Sequence, residues 1–138
     1  MDIISHAIAG ACTGSYFGKP IEGAVISVLP DLVLGFKRKK QPNDKYRITH
    51  SLLNTILFSL VVTDHYLWLW CLTSHLILDL FTHGSVWSPR LFFPLNNYHM
   101  TGFTEWEFGN RSWLCGLILT LVWCITWLLL PELLIGFQ

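Results

Sequence analysis

Apolar residues along this chain fall into five segments that are separated by short polar stretches. The segments cover 3–17, 21–36, 52–63, 66–81 and 113–130. Each has the length and the apolar character of a helix, and the brief polar break after 63 predicts an antiparallel helical hairpin. The pattern therefore predicts an all-α protein of about four to five apolar helices, in a single domain that spans residues 1–138.

Segment 113–130 carries the strongest membrane signal of the five. It contains no charged residue and lies between Arg111 and Glu132, and a helix of this length matches a hydrocarbon core of ~30 Å. The composition agrees, because 52% of the residues are hydrophobic and only 13% are charged, whereas about a quarter are charged in soluble domains. We therefore expect a small polytopic membrane protein with a C-terminal transmembrane helix at 113–130 and with membrane lipids as partners.

Basic residues are concentrated between the second and third segments, although the net charge of the chain is zero. Six of the nine lie there, namely Lys37, Arg38, Lys39, Lys40, Lys45 and Arg47. By the positive-inside tendency, we expect this loop on the cytoplasmic side of the membrane. The loop has neither an aromatic stacking platform nor a recognition-helix pattern, so no nucleic-acid partner is expected.

Polar residues that can bind metals recur at one end of the apolar segments. His75 and Asp79 are four residues apart, so a helix places them on the same face. His6 begins the first segment, Asp31 falls late in the second, and His50 comes just before the third. If successive segments run in opposite directions, all five residues lie at one end, together with the basic loop. We therefore expect a single shared site that faces the cytoplasm.

Imidazole and carboxylate side chains together suit a divalent metal ion. The predicted ligands are His6, Asp31, His50, His75 and Asp79. Zinc is the default because of the imidazole content, while manganese or iron also fits mixed nitrogen and oxygen ligation. A bound ion of this kind lowers the pKa of its water towards ~7. We therefore expect hydrolysis, with His50, Asp31 and Asp79 as the catalytic residues.

Further candidate residues surround the predicted start of the third helix and the end of the fourth. Thr49 or Ser51 is the expected N-cap, and a helix end beside Arg47 suits an anionic group such as a phosphate. Thr49, Ser51 and Arg47 are therefore the candidate substrate-binding residues. His83 lies four residues after Asp79, and the spacing favours a ligand role and an exposed supporting role equally.

Three motifs follow one another in the chain: Leu29-Pro30-Asp31, Thr49-His50-Ser51-Leu52 and Ser74-His75-Leu76-Ile77-Leu78-Asp79, with Gly84 and Pro94 after them. Over about residues 1–95 this order resembles a family of bacterial inner-membrane proteins called LexA-regulated, membrane-bound metal-dependent hydrolases. The resemblance implies a bacterial or phage-like source, a multi-helix inner-membrane protein and a metal-dependent hydrolase site formed by the same five ligands. One departure is that Lys45-Tyr46 stands where the family usually has His-Arg.

The favoured function is a membrane-bound hydrolase that uses a metal-activated water on a phosphoester or lipid-related substrate. One alternative is a non-enzymatic membrane protein in which the cluster is a structural metal site or a polar network that specifies helix packing. Another is an ion or proton pathway, which needs polar residues through the whole membrane depth rather than at one end. A hydrolytic metal site keeps an open coordination position, whereas a structural one does not.

Overall fold

Six α-helices form the part of the chain that this computed structural model describes, which covers 3–33, 44–84, 87–99 and 111–135. The helices are α1 (Ile3–Tyr16), α2 (Pro20–Leu32), α3 (Asp44–Thr49), α4 (Leu52–Leu60), α5 (His65–Thr82) and α6 (Arg111–Ile135). No strand occurs within these ranges. The all-α prediction is therefore confirmed, and five of the helices fall on the five apolar segments. The short helix α3 was not predicted.

The prediction of a polytopic membrane protein is wrong. Across the described residues, no helix combines the length and the apolar character that a membrane crossing requires. Helices α1, α2 and α4 have 14, 13 and 9 residues, and at 1.5 Å per residue none of them reaches across ~30 Å of hydrocarbon. Helix α5 has 18 residues, but His75 and Asp79 interrupt its apolar character.

The same finding overturns the predictions that depended on membrane spans. The transmembrane helix predicted at 113–130 falls on α6, and it is not supported, because no helix of the described residues qualifies as a membrane span. The inner-membrane location and the cytoplasm-facing orientation of the site lose their basis with it. The basic cluster at 37–40, which had set that orientation, lies outside the described residues.

Three glycines allow α1 and α2 to pack backbone against backbone. Gly10 and Gly14 of α1 face Gly23 of α2, where a Cβ atom would lie 2.8 Å from the Cα of Gly14 and would overlap the carbonyl oxygen of Gly10. Only a residue without a Cβ fits there. The turn between the two helices uses Gly18 with a φ of 70°. Gly10, Gly14 and Gly23 thus set the close spacing of α1 and α2.

Helix α5 lies at the centre of the bundle and packs against α1, α2, α4 and α6. Near its start, Leu67 and Leu72 form an apolar cluster with Ile26 of α2. Near its end, Leu78 packs against Ala9 of α1 and against side chains of α6. The helix that carries the His75 and Asp79 pair is thus held from several sides, which fixes the position of the site.

Replacing Gly23 by alanine is expected to lower the free energy of unfolding by about 2 kcal/mol. The added methyl group meets backbone atoms of α1, and these cannot rotate away, so the two helices must move apart. Val25→Ala on the same helix is the matched control, because Val25 is 52% exposed. Its effect is expected to stay within about 0.5 kcal/mol. Urea denaturation followed by circular dichroism measures both variants, and equal losses would contradict the close-packing explanation.

Candidate metal centre

Asp79 of α5 is the meeting point of four imidazole rings. Its Oδ1 atom lies 3.1 Å from Nε2 of His6 and 3.2 Å from Nδ1 of His83. Its Oδ2 atom lies 3.2 Å from Nε2 of His75 and 3.4 Å from Nε2 of His50. The rings come from α1, from the residue that follows α3, and from α5 with its C-cap, so the fold gathers distant parts of the chain around one carboxylate.

Asp31, near the end of α2, adds a second carboxylate. Its Oδ1 atom lies 3.4 Å from Nε2 of His50, and its Oδ2 atom lies 3.9 Å from Nε2 of His6. The Asp31 side chain is 21% exposed, whereas those of His50 and Asp79 are 0% and 1% exposed. With Asp31, all five predicted ligands lie together, and the cluster has an exposed edge at Asp31. We call these five residues and His83 the His/Asp cluster.

Hydrogen bonds on the outer side of two rings fix how they face the His/Asp cluster. Nδ1 of His75 lies 2.7 Å from the carbonyl oxygen of Ser27, and since a carbonyl only accepts, this nitrogen carries the proton. Nδ1 of His50 lies 3.2 Å from the carbonyl oxygen of Tyr46 and 2.9 Å from the Thr49 hydroxyl, which favours the same tautomer. Each neutral ring then turns an unprotonated Nε2 towards the cluster, as a metal ligand must.

These two nitrogens are close enough to require a positive charge between them. Nε2 of His50 and Nε2 of His75 are 3.0 Å apart, and two lone pairs at this distance repel each other. Two nitrogens that bind one ion at about 2.1 Å lie ~3.0 to 3.4 Å apart, depending on the angle at the ion. The observed distance therefore fits two ligands of the same ion, or two rings that share one proton when no ion is bound.

Both carboxylates are ionised at neutral pH. Burial raises the pKa of Asp79, but the nearby imidazoles, led by that of His83, bring it well below its usual range. Burial also raises the pKa of Asp31, and the hydrogen bond with His50 and the other imidazoles lower it to about 2. A divalent cation among these atoms would match the charge of the two carboxylates, and mixed imidazole and carboxylate donors suit zinc, manganese or iron.

The imidazoles differ in their affinity for a proton. Burial, and after it the neighbouring His75 ring, lower the pKa of His6 to about 3, although Asp79 acts in the opposite direction; the two rings stack with their centroids 3.8 Å apart. Burial also lowers the pKa of His50, but hydrogen bonds with Asp31 and Asp79 outweigh burial and raise it. His6 is therefore neutral and able to bind a metal, while the pKa of His50 is shifted in the opposite direction.

Two sets of side chains within the described residues have the spacing of metal ligands. They are His6, His75 and Asp79, and Asp31, His50 and His75, and in each set the ligand atoms lie within 4.8 Å of one another. Each carboxylate turns one oxygen towards His50 and the other towards His6. The predicted donor set for a divalent metal is therefore present as buried groups that can hold an ion.

Ser51, one of the predicted substrate-binding residues, caps helix α4 in the structure. Its side chain accepts a hydrogen bond from the backbone N–H of Asn54, and its hydroxyl donates to the carbonyl oxygen of Phe93 at 2.9 Å. The N–H of Leu53 donates to the carbonyl oxygen of Leu91. The N-cap prediction is confirmed for Ser51. Two of the first backbone amides of α4 donate to groups of the protein, so they are not free to bind an anion.

The other two predicted substrate-binding residues lie on α3. Thr49 contacts the His/Asp cluster, because its hydroxyl lies 2.9 Å from Nδ1 of His50. Arg47 pairs with Asp44 of the same helix at 3.1 Å, so its guanidinium is turned to an exposed carboxylate. A substrate role for these residues stays a prediction, and the geometry favours Thr49 over Arg47.

Tyr46 belongs to the site but was not among the predicted site residues. Its ring stacks on His50 with the centroids 3.9 Å apart, and its hydroxyl donates to the carbonyl oxygen of Trp87. Tyr46 therefore holds the His50 ring in place. The one signal in the sequence was the departure from the family pattern at this position. The contact between the Ser27 carbonyl oxygen and His75 could not be predicted from the sequence, since every residue has a backbone carbonyl.

The His/Asp cluster thus joins a metal-type donor set to an exposed edge at Asp31. No family model, no curated protein and no solved structure matches this chain. The resemblance to the LexA-regulated metal-dependent hydrolases therefore stays a prediction, and the geometry of the described residues is the basis for a function.

Proposed function

We propose that this protein is a metal-dependent hydrolase whose His/Asp cluster binds a divalent ion. The observation that carries the proposal is the 3.0 Å distance between the Nε2 atoms of His50 and His75. Oδ2 of Asp79 lies within 3.4 Å of both nitrogens, so three donor atoms face a common point. Asp31 and His6 complete the ligand set from α2 and α1. Zinc is the default ion, and manganese or iron also suits these donors.

The exposed edge of the His/Asp cluster supports a hydrolytic role. The chemistry that a bound ion supplies is a water with a pKa near ~7 and a polarised carbonyl or phosphoryl oxygen. Asp31 is the cluster carboxylate at the surface, with 21% of its side chain exposed, so its oxygen can accept a proton from an incoming water. His75 and Asp79 are buried and orient the site. We propose a phosphoester or lipid-related ester as the substrate.

A non-enzymatic role is the second candidate. The observation in its favour is burial, because the side chains of His6, His50 and Asp79 are 0–1% exposed and a fully enclosed set of ligands is typical of a structural metal. A buried polar network that specifies helix packing would look similar. The exposure of Asp31 favours the hydrolytic role, since a catalytic ion needs a position that water and substrate can reach.

Metal binding is tested by loading the purified protein with zinc and measuring the bound metal by mass spectrometry. Wild type is expected to retain at least one ion per chain, and zinc at about 100 times its Kd should stabilise it by about 2.7 kcal/mol. His50→Ala and Asp79→Asn are each expected to weaken zinc binding by more than about 100-fold, since even residues that only support ligands contribute 10- to 100-fold.

The control for these variants is His65→Ala. His65 is an exposed histidine at the start of α5, far along the helix from Asp79, and its loss should leave zinc binding unchanged. Metal content that is unaltered in both cluster variants would defeat the proposed ligands. Replacing zinc by cobalt gives a site with a visible absorption spectrum, and an added thiolate or azide changes this spectrum if it binds at an open coordination position. A spectrum that neither ligand changes would favour the structural role.

Hydrolysis is tested with p-nitrophenyl phosphodiesters and p-nitrophenyl acyl esters. Activity is expected to disappear on chelation, to return with zinc, and to rise with pH through about 7, because the deprotonated water is the attacking species. Asp31→Asn is expected to lower kcat by about 100-fold or more, as expected for loss of a proton acceptor. Asp64→Asn is the control, because Asp64 forms an exposed ion pair with Lys19. A chelated protein as active as the loaded one would contradict the proposal.

A further inference from the structure

A cavity of about 480 Å³ lies beside the His/Asp cluster and is bordered by α2, α3, α4 and α5. This volume is within the range of ~300 to 1,000 Å³ that is common for small-molecule sites. Pro30, which precedes Asp31, and Thr49, which precedes His50, both line it. The cavity is therefore lined by direct sequence neighbours of two cluster residues. We call it the apolar pocket, because its wall is formed mainly by Leu29, Val33, Leu57, Phe58, Trp68 and Leu72.

Along α4, the wall of the apolar pocket changes from polar to apolar with distance from His50. Asn54 and Thr55 line it in the first turn of the helix, close to His50, and Leu57 and Phe58 line it one turn further along. At 1.5 Å per residue, the apolar pair lies about 5 Å further along the helix axis than the polar pair. On α4 the polar residues of the wall are thus nearer to His50 than the apolar ones, while Leu29, Pro30 and Ile48 add apolar wall beside Asp31 and His50.

Helix α5 contributes only apolar side chains to the wall of the pocket. His75 belongs to the cluster, Leu72 lines the pocket about one turn earlier, and Trp68 lines it one turn earlier again. The rings of Trp68 and Phe58 meet edge to face with their centroids 5.3 Å apart, in the part of the wall that is further from His75 along α5. A mainly apolar pocket that contacts the cluster through Thr49, whose hydroxyl lies 2.9 Å from Nδ1 of His50, fits a hydrocarbon chain with a polar end group.

We propose that the apolar pocket holds the hydrocarbon chain of an ester substrate whose ester group lies at the His/Asp cluster. The position of the ester group rests on the proposed function, whereas binding of the chain depends on the pocket alone. Leu57 and Phe58 are 53% and 47% exposed, and a bound chain covers this apolar surface. The volume suits one chain, so the substrate class is a single-chain alkyl phosphoester or fatty acyl ester.

The chain-length dependence of binding tests the proposal. Isothermal titration calorimetry of the zinc-loaded protein with n-alkylphosphonates, from ethyl to decyl, gives Kd without any turnover. Kd is expected to fall about fourfold for each added methylene group until the pocket is full, and then to level off. A parallel series of n-alkyl hydroxamates, which resemble the carboxylic ester, shows which polar end group binds more tightly. A Kd that does not depend on chain length in either series would overturn the proposal.

A pair of variants on α4 locates the chain. Leu57→Trp fills the pocket and is expected to weaken binding of decylphosphonate by about tenfold, the equivalent of roughly two methylene groups, while ethylphosphonate binds as before. Leu60→Trp is the matched control, since Leu60 is 71% exposed and lies outside the pocket wall, and it should bind both probes as wild type does. Equal weakening in the two variants would place the chain elsewhere and overturn the proposal.

The outcomes also separate the pocket from the proposed function. If Kd depends on chain length, Leu57→Trp abolishes that dependence, and the protein has no hydrolytic activity, then the pocket proposal is supported and the hydrolase proposal is contradicted. If short and long p-nitrophenyl esters are hydrolysed with the same KM, and Kd does not change with chain length, then the hydrolase proposal is supported and the pocket proposal is contradicted. Circular dichroism of both tryptophan variants confirms folding, which is expected because both leucines are largely exposed in the wild type.

Discussion

One buried carboxylate, that of Asp79, sets the requirements for the centre of this protein. An ionised carboxylate in a protein interior is costly unless hydrogen bonds and opposite charge surround it. His6 of α1 and His83, the C-cap of α5, lie within hydrogen-bond distance of its Oδ1 atom. The Nε2 atoms of His50, which follows α3, and of His75 face its Oδ2 atom, so a cation or a shared proton at that point meets the requirement. Because hydrogen bonding weakens steeply beyond about 3.2 Å, even a small shift of α1 would remove His6. The glycine contact between α1 and α2 therefore protects the site as well as the fold.

Much of the candidate site could be predicted from the sequence, even though the membrane premise was wrong. Helical spacing alone places His75 and Asp79 on one face. The convergence of His6, Asp31 and His50 on that face was predicted by letting successive helices run in opposite directions. That alternation is a property of helices joined by short connections, whether lipid or protein surrounds them. The predicted grouping of these residues therefore does not depend on a membrane.

Other features could not be predicted, for identifiable physical reasons. Hydropathy reports apolar content, but a membrane crossing depends on uninterrupted length, and α1, α2 and α4 end too early for it. Helix α3 is rich in charge and has no apolar periodicity, so Tyr46 went unrecognised as the ring that stacks on His50. The hydrogen bond from Ser51 to Phe93 spans 42 positions of the chain, and a local capping rule cannot indicate such a distant partner.

The apolar pocket bears on whether the cluster is structural or catalytic. A cluster that only joined helices would be most stable with side chains packed tightly against it, since unfilled apolar space forfeits dispersion contacts. Here Leu57 and Phe58 remain about half exposed in the wall of the apolar pocket, although burying them would stabilise the fold. A surface that costs stability and adjoins a metal-type donor set is typical of a binding site. Under the proposed function, the burial of Asp79 and the exposure of Asp31 serve together, since the buried side would hold the ligands rigidly and the exposed side would admit a molecule to them.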